Sequence, residues 1–348
     1  MRILIVGNPE KHHVGAHFLA AGQSVGWECE IVDARRAKSR NIWVNRFYDK
    51  LMRRRPAHLA AFNKSVVSAV ARAAPDLVLT TGVSAVTAES LRCIREKGSR
   101  TINFLTDDPW NPRNGAGFFW DALREYDIVA SPRMANLQDL RNHGCRRVEY
   151  LPFGYNPDLH FVEHDATPEE EARYRCEVAI LGGADEDRVP LARALSQAGI
   201  DLALYGGYWD RYPDLKPHWR GFVHDRALRL AVRLAKCQIC MGRKANRDGH
   251  AMRSIEFPAM GACLLTEDTP EHRELFGPDG VATLYWASPE DMVDRVREIV
   301  ADKDGRDRMA TKLHRRMTEQ QQHSYHARLV KLVGFLDSRT KNEDIPKA

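Results

Sequence analysis

The stretch Asp248-Gly-His-Ala-Met-Arg-Ser-Ile-Glu256 sets an acid, a glycine and a histidine ahead of a helical pattern that carries Arg253 and Glu256 one turn apart. Residues three apart share a helix face, so the two side chains form an ion pair or present a cation and a carboxylate together to a ligand. A guanidinium fork and the amides of a helix start both suit phosphate oxygens. A carboxylate in a cleft accepts hydrogen bonds from both hydroxyls of a ribose. More cations follow strand-like runs upstream: Arg188 after "AILGGADED", and Arg243 and Lys244 after "CQICMG". With Gly249 and His250 these make a candidate diphosphate site, although each cation taken alone reads equally as solvated surface charge.

A second constellation lies in "FLTDDPWNP", where Asp107 and Asp108 end a strand-like run. Adjacent acids before proline are common turn formers; alternatively, one carboxylate caps the turn while the other binds or deprotonates a hydroxyl. His12 and His13, in the first loop, compete for that proton-accepting role or are simply exposed. Cys237 and Cys240 form a CxxC with no second pair, in a buried strand-like context that suits core thiols better than metal or redox chemistry.

Residues 35–55 hold nine Lys or Arg against one acid, although the whole chain carries a net charge of only +5. Trp43, Phe47 and Leu51 recur at four-residue spacing beside Val44, Tyr48 and Met52, which describes an amphipathic helix flanked by Arg46, Lys50 and Arg53. This is either an ordinary helix with a solvated charged face or a contact for an anionic membrane or acceptor surface. No recognised RNA or DNA motif accompanies it, so no nucleic-acid partner is expected.

Alternating strands and helices must position these residues. Apolar runs end at Gly7, Asp33, Gly82, Asp107 and Ser131, with helical patterns between most of them. That alternation predicts an α/β fold with a parallel sheet covered on both faces and ligands gathered beyond the carboxyl ends of the strands. "LPFGYNPDLHF" (151–161) breaks the periodicity as a candidate hinge; a second alternating series then runs through "CEVAILGG", "DLALYGG", "CQICMG" and "ACLLTED", with helices expected at about 188–198, 224–235 and 251–260. The division is therefore 1–152 for an N-terminal Rossmann-like domain and 153–322 for a C-terminal one. A final helix, 323–338, is expected to pack back on the first domain. Neither domain carries GxGxxG after its first strand, which disfavours a dinucleotide cofactor, and no cofactor is expected.

At 348 residues, 43% hydrophobic and 28% charged, the chain is long enough for two cores and too balanced for disorder. The N-terminal apolar run is too short for a signal peptide, and no run is long enough to span a bilayer, so a cytoplasmic location is expected, peripheral to the membrane if residues 35–55 bind there. Seven cysteines scattered in apolar contexts read as reduced thiols.

Asp248 and Glu256, with seven residues between them and followed by "FPAMGACLLTED", resemble the two-acid motif in the C-terminal domain of retaining GT-B glycosyltransferases of the glycogen-synthase-like superfamily. More closely, the chain resembles the CgeB-like, spore-maturation-type glycosyltransferase family. "FLTDDPWNP", "YDIVASP", "YLPFGYNPDLHF", "VAILGG", "LYGGYW", "RGFV", "MRSIEFPAMGACLLT" and "HSYHARL" fall in that family's order. The resemblance implies a GT-B fold, two Rossmann-like domains facing a cleft, and transfer of a sugar from a nucleoside diphosphate sugar to an acceptor hydroxyl. It places Glu256 at the ribose, Asp248 near the donor sugar, Arg188 and Arg253 at the diphosphate, Phe222 and Val223 beside the nucleobase with Trp209 or Tyr208 as an apolar wall, and the Asp107–Asp108 pair beside the acceptor. The acceptor class stays open among polysaccharide, lipid-linked sugar, protein and small molecule. Two departures matter: Asp248 is shorter than the usual glutamate, and Pro258 should kink the helix. No divalent metal is required, because cations meet the diphosphate. A sugar-nucleotide epimerase or a non-catalytic nucleotide-sugar binder would share the donor site.

Overall fold

Two polypeptide units, each built on its own parallel sheet, make up the computed structural model, which describes residues 1–337 except Arg53, Arg113 and Asp248. One comprises Met1–Pro152 together with the chain from Tyr325 onward; the other is Phe153–Ser324.

In the first unit the strands are β1 (Arg2–Gly7), β2 (Glu28–Asp33), β3 (Leu77–Thr81), β4 (Arg100–Phe104), β5 (Ile128–Ser131) and β6 (Val148–Tyr150). The helices are α1 (Val14–Ser24), α2 (Ile42–Leu51), α3 (Leu59–Ala73), α4 (Ala88–Glu96), α5 (Gly117–Leu123) and α6 (Met134–Asn142). The sheet order is β2-β1-β3-β4-β5-β6, with every pairing parallel. Strands buried on both faces need unbroken apolar runs, and β1 supplies one: Ile3, Leu4, Ile5 and Val6 are all buried.

The second unit opens with α7 (Pro168–Tyr174) and continues through β7 (Cys176–Leu181), α8 (Arg188–Gln197), β8 (Leu202–Tyr205), α9 (Asp225–Leu234) and β9 (Ala235–Cys240). Next come α10 (Met252–Ala259), β10 (Leu264–Glu267), α11 (Pro270–Phe276), β11 (Leu284–Trp286), α12 (Pro289–Ala301) and α13 (Lys303–Thr318). Its sheet order is β11-β10-β9-β7-β8, again all parallel.

Both orders follow one plan. The second strand lies on one side of the first and the third on the other, so the winding reverses between β1 and β3 and again between β7 and β9. In sheets of this order the loops leaving those strands diverge at the carboxyl edge, the usual ligand position.

The last helix, α14 (Tyr325–Asp337), belongs to the first unit. The Tyr325 ring stacks on His17 at 4.8 Å and meets Phe18 edge-on at 5.3 Å, both from α1. Residue 338 of the expected tail lies outside the described residues.

The strands that periodicity missed, β6 and β11, are sheet edges of three residues each, too short to show a period. Pro258 falls in the final turn of α10, so its missing N–H ends the helix instead of kinking it midway. The CxxC cysteines lie in β9: burial pushes the Cys237 thiol well up and the Cys240 thiol to about 11, and all seven cysteines are free thiols.

Candidate functional site

In the second unit the two strands flanking the reversal point each deliver an arginine. Arg188 starts α8 beyond β7; Arg243 follows β9. Arg188 is mostly buried, bonded to the Asp185 carboxylate, and its NH1 reaches the Gly183 carbonyl at 3.5 Å. Burial pulls this guanidinium below its ordinary value; the nearby charges of Arg243 and Arg253 pull the same way, against Asp185. A mostly buried guanidinium within the field of two further cations is an arrangement that an anion relieves. Lys244 is exposed, with its backbone N–H on Asp187 Oδ2 at 3.2 Å.

The loops after β7 and β8 each begin with two glycines, and their close approach needs them. A Cβ on Gly206 would stand 2.6 Å from the Gly182 carbonyl carbon, and its φ of +120° is itself glycine territory. Trp209 Nε1 donates to the Gly182 carbonyl at 2.9 Å and Trp219 Nε1 to the Gly206 carbonyl at 2.8 Å, pinning both loops. Trp209 is fully buried and presents no surface to a ligand, which corrects the expectation that it walls the base site. The neighbouring Tyr208 is 56% exposed, beside Gly183, and Phe222 is 65% exposed, its ring edge beside Gly207; Val223 is half-buried. Two solvated rings thus flank the twin-glycine turn.

Helix α10 carries Arg253 and Glu256, and their ion pair is formed: Arg253 NH1 donates to Glu256 Oε2. Arg253 is 42% exposed on its side chain while Glu256 is 2% exposed. His160 also faces this carboxylate, its Nε2 lying 3.8 Å from Oε1. Because His160 Nδ1 accepts the Asn156 N–H at 3.0 Å, its ring hydrogen sits on Nε2 and points at Glu256. No sequence signal marked His160, which comes from the hinge segment.

His250, expected at the phosphates, is instead fully buried. Its Nε2 accepts the Phe153 N–H at 3.3 Å and its Nδ1 donates to Glu271 Oε2, so both nitrogens are committed inside the unit. Gly249 serves the same arrangement, since a Cβ there would stand 2.4 Å from the Glu271 carboxyl carbon. Beside it, His272 Nδ1 donates to the Glu267 carbonyl at 2.8 Å and its Nε2 accepts from Ser254 Oγ at 2.8 Å. Burial pushes His272 down to about 3. Asp248 lies outside the described residues.

In the first unit the two aspartates separate. Asp108 is buried and its Oδ1 accepts the Trp110 N–H at 3.0 Å, the turn-forming role. Asp107 is half-buried and takes the Thr106 hydroxyl at 3.0 Å beside the turn at Gly82 that follows β3. His13 stands at the N-cap position of α1 without a side-chain capping bond, largely exposed, with its Nε2 3.3 Å from Glu10; His12 is half-buried in the same loop.

The chain is similar over 97% of its length to the sucrose-phosphate synthase of Thermosynechococcus elongatus, at 12% identity and a TM-score of 0.70, covering 98% of that chain. The fold is GT-B. The same GT-B arrangement recurs in Anabaena HepE, solved with UDP, at 13% identity, a TM-score of 0.65 and 97% and 100% coverage of the two chains. It recurs more loosely in a putative UDP-N-acetylglucosamine 2-epimerase from Listeria monocytogenes, at 14% identity, a TM-score of 0.54, and 100% and 98% coverage. Residues 188–334 match the family model described as glycosyl transferase-like, a span that starts at Arg188 and includes Arg243, Arg253 and Glu256. No curated protein matches the sequence.

Proposed function

We propose that this chain is a glycosyltransferase that breaks the bond between a sugar C1 and a nucleoside diphosphate and joins that carbon to an acceptor hydroxyl oxygen. The carrying observation is the gathering of Arg243 and Arg253 around the mostly buried Arg188 where β7 and β9 part. Negative charge grows on the diphosphate as the C1–O bond breaks, and fixed cations at that point stabilise the transition state more than the ground state. Lys244 and the amides around Gly249 add donors, and charge neutralisation by these side chains makes the reaction metal-independent.

Tyr208 and Phe222 stack on the base, with Val223 beside them, while Glu256 takes the ribose diol once Arg253 turns from it to the phosphates. Asp248 stands near the donor sugar, as the resemblance to the CgeB-like family implies. Asp107 accepts the proton of the acceptor hydroxyl; Asp108 holds its turn, and His13 is the alternative base. The HepE complex makes UDP the first nucleotide to try. The acceptor is a polysaccharide, a lipid-linked sugar, a protein or a small molecule, and residues 35–55 make a peripheral contact with an anionic membrane.

Calorimetry with UDP, GDP and TDP tests the donor site. One of them should bind, with affinity unchanged by chelator and reduced roughly ten-fold or more in Arg188→Gln or Phe222→Ser. Absence of binding by all three would remove the donor assignment. Incubating UDP-sugars without acceptor separates transfer from epimerisation, since only an epimerase then accumulates the epimer.

A further inference from the structure

We propose that the basic pocket at the foot of α2 holds the phosphate headgroup of an anionic lipid, with α2 laying its outer apolar face into the same bilayer. This rests on the membrane reading of residues 35–55 and gives it a specific headgroup site.

Helix α2 has no buried residue. Its inner side, Val44 and Tyr48, is half-buried, whereas Trp43 is 70% exposed, Phe47 54% and Leu51 67% on the outer side. Ile42 and Met52 extend the exposed apolar surface at either end. The Asn41 side chain caps the helix by accepting the Trp43 N–H at 2.9 Å, so this geometry exists without a partner. Arg46 lies over the Trp43 ring at 4.9 Å and shares the flank of the stripe with Lys50. An exposed apolar stripe with aromatic residues and flanking cations is the pattern of a helix lying in a bilayer interface.

Next to it is a pocket of about 900 Å³ whose lining includes Asp33, Arg35, Arg36, Lys38, Arg40 and His58. Its one acid is taken, since Arg35 Nε pairs with Asp33 Oδ1 at 2.9 Å and Arg35 reaches on to Glu10. Arg36, Lys38 and Arg40 are exposed and form no ion pair within 4 Å among the described residues. Pocket and helix are one piece: the Ser39 N–H donates to Asn45 Oδ1 at 2.9 Å and Asn45 Nδ2 donates to the Ser39 carbonyl at 2.8 Å. Three cations around a cavity match a phosphate, and the aliphatic and aromatic stripe beside it matches acyl chains. A nucleic acid would neutralise the cations but leave Ile42 and Leu51 in water.

Co-sedimentation with vesicles of phosphatidylcholine alone or mixed with phosphatidylserine tests the pair of claims. Wild type should bind the mixed vesicles and bind the neutral ones roughly ten-fold or more weakly. Trp43→Ser with Phe47→Ser, both exposed, should abolish binding while the melting temperature holds. Arg36→Gln with Arg40→Gln should weaken binding to mixed vesicles by roughly ten-fold, and saturating inorganic phosphate should compete with wild type but not with that variant. If the arginine variant binds as wild type while the aromatic variant does not, the headgroup site is overturned and the membrane reading stands. Equal binding to both vesicle types overturns both. A dimer that the aromatic variant dissolves would assign the stripe to a second copy and overturn both as well.

Discussion

His250 Nε2 accepts the backbone N–H of Phe153 at 3.3 Å. The bond joins the first residue of the second unit to a residue two positions ahead of α10, and it leaves the opposite ring nitrogen to Glu271. A histidine fixed at both nitrogens in the interior is a structural strut.

Replacing His250 with alanine withdraws one buried hydrogen-bond partner from Phe153 and one from Glu271. We expect a loss of about 2 to 4 kcal/mol in urea unfolding, with nucleotide affinity of the folded protein changed by no more than about three-fold. A variant as stable as wild type but unable to bind nucleotide would return His250 to the phosphates.

Glu256→Gln and Arg253→Gln ask whether the observed ion pair is the whole role of these residues. A hydrogen bond to a charged group contributes about 1.5 to 3 kcal/mol, so each change should weaken nucleoside diphosphate binding by roughly ten-fold or more in calorimetry. A purely structural pair, with Glu256 nearly buried, would instead cost up to about 3 to 5 kcal/mol of stability and leave affinity intact.

Protonation of His272 is strongly disfavoured by burial, which pushes it down from 6.5 to about 3. Between those values the unfolded chain binds a proton that the folded one refuses, so this group's contribution is complete above pH 6.5 and shrinks as pH falls towards 3. From pH 7 to pH 5 the loss is about 2 kcal/mol. Urea unfolding at both values should show His272→Gln losing less than wild type by about that amount; parallel losses would refute the assignment.

Asp107 and Asp108 should part in kinetics. Asp107→Asn, at the proposed acceptor side, is expected to lower kcat by roughly a hundred-fold or more with donor affinity unchanged. Asp108→Asn retains an oxygen for the Trp110 N–H and should keep most of the activity at a stability cost of about 1 kcal/mol. The reverse order of effects on kcat would exchange their roles.

Sequence alone determined the alternation of strand and helix, because a strand buried on both faces must be an unbroken apolar run such as Ile3 to Val6 and an amphipathic helix must repeat near 3.6. It also marked the cations and the α10 pair, whose types carry their chemistry wherever they fall. It could not say which of two adjacent groups faces inward. Trp209 and Tyr208 read alike, yet the first is fully buried under the twin-glycine loops and the second is solvated. Asp108 and Asp107 likewise split into turn cap and half-exposed carboxylate. His250 looked like a helix-start phosphate ligand until Phe153 and Glu271, 97 and 21 residues away in sequence, claimed its two nitrogens. The exposed side of α2 was hidden for the same reason: an amphipathic pattern shows that a helix has an apolar face, but only the packing of the remaining chain decides whether anything covers it.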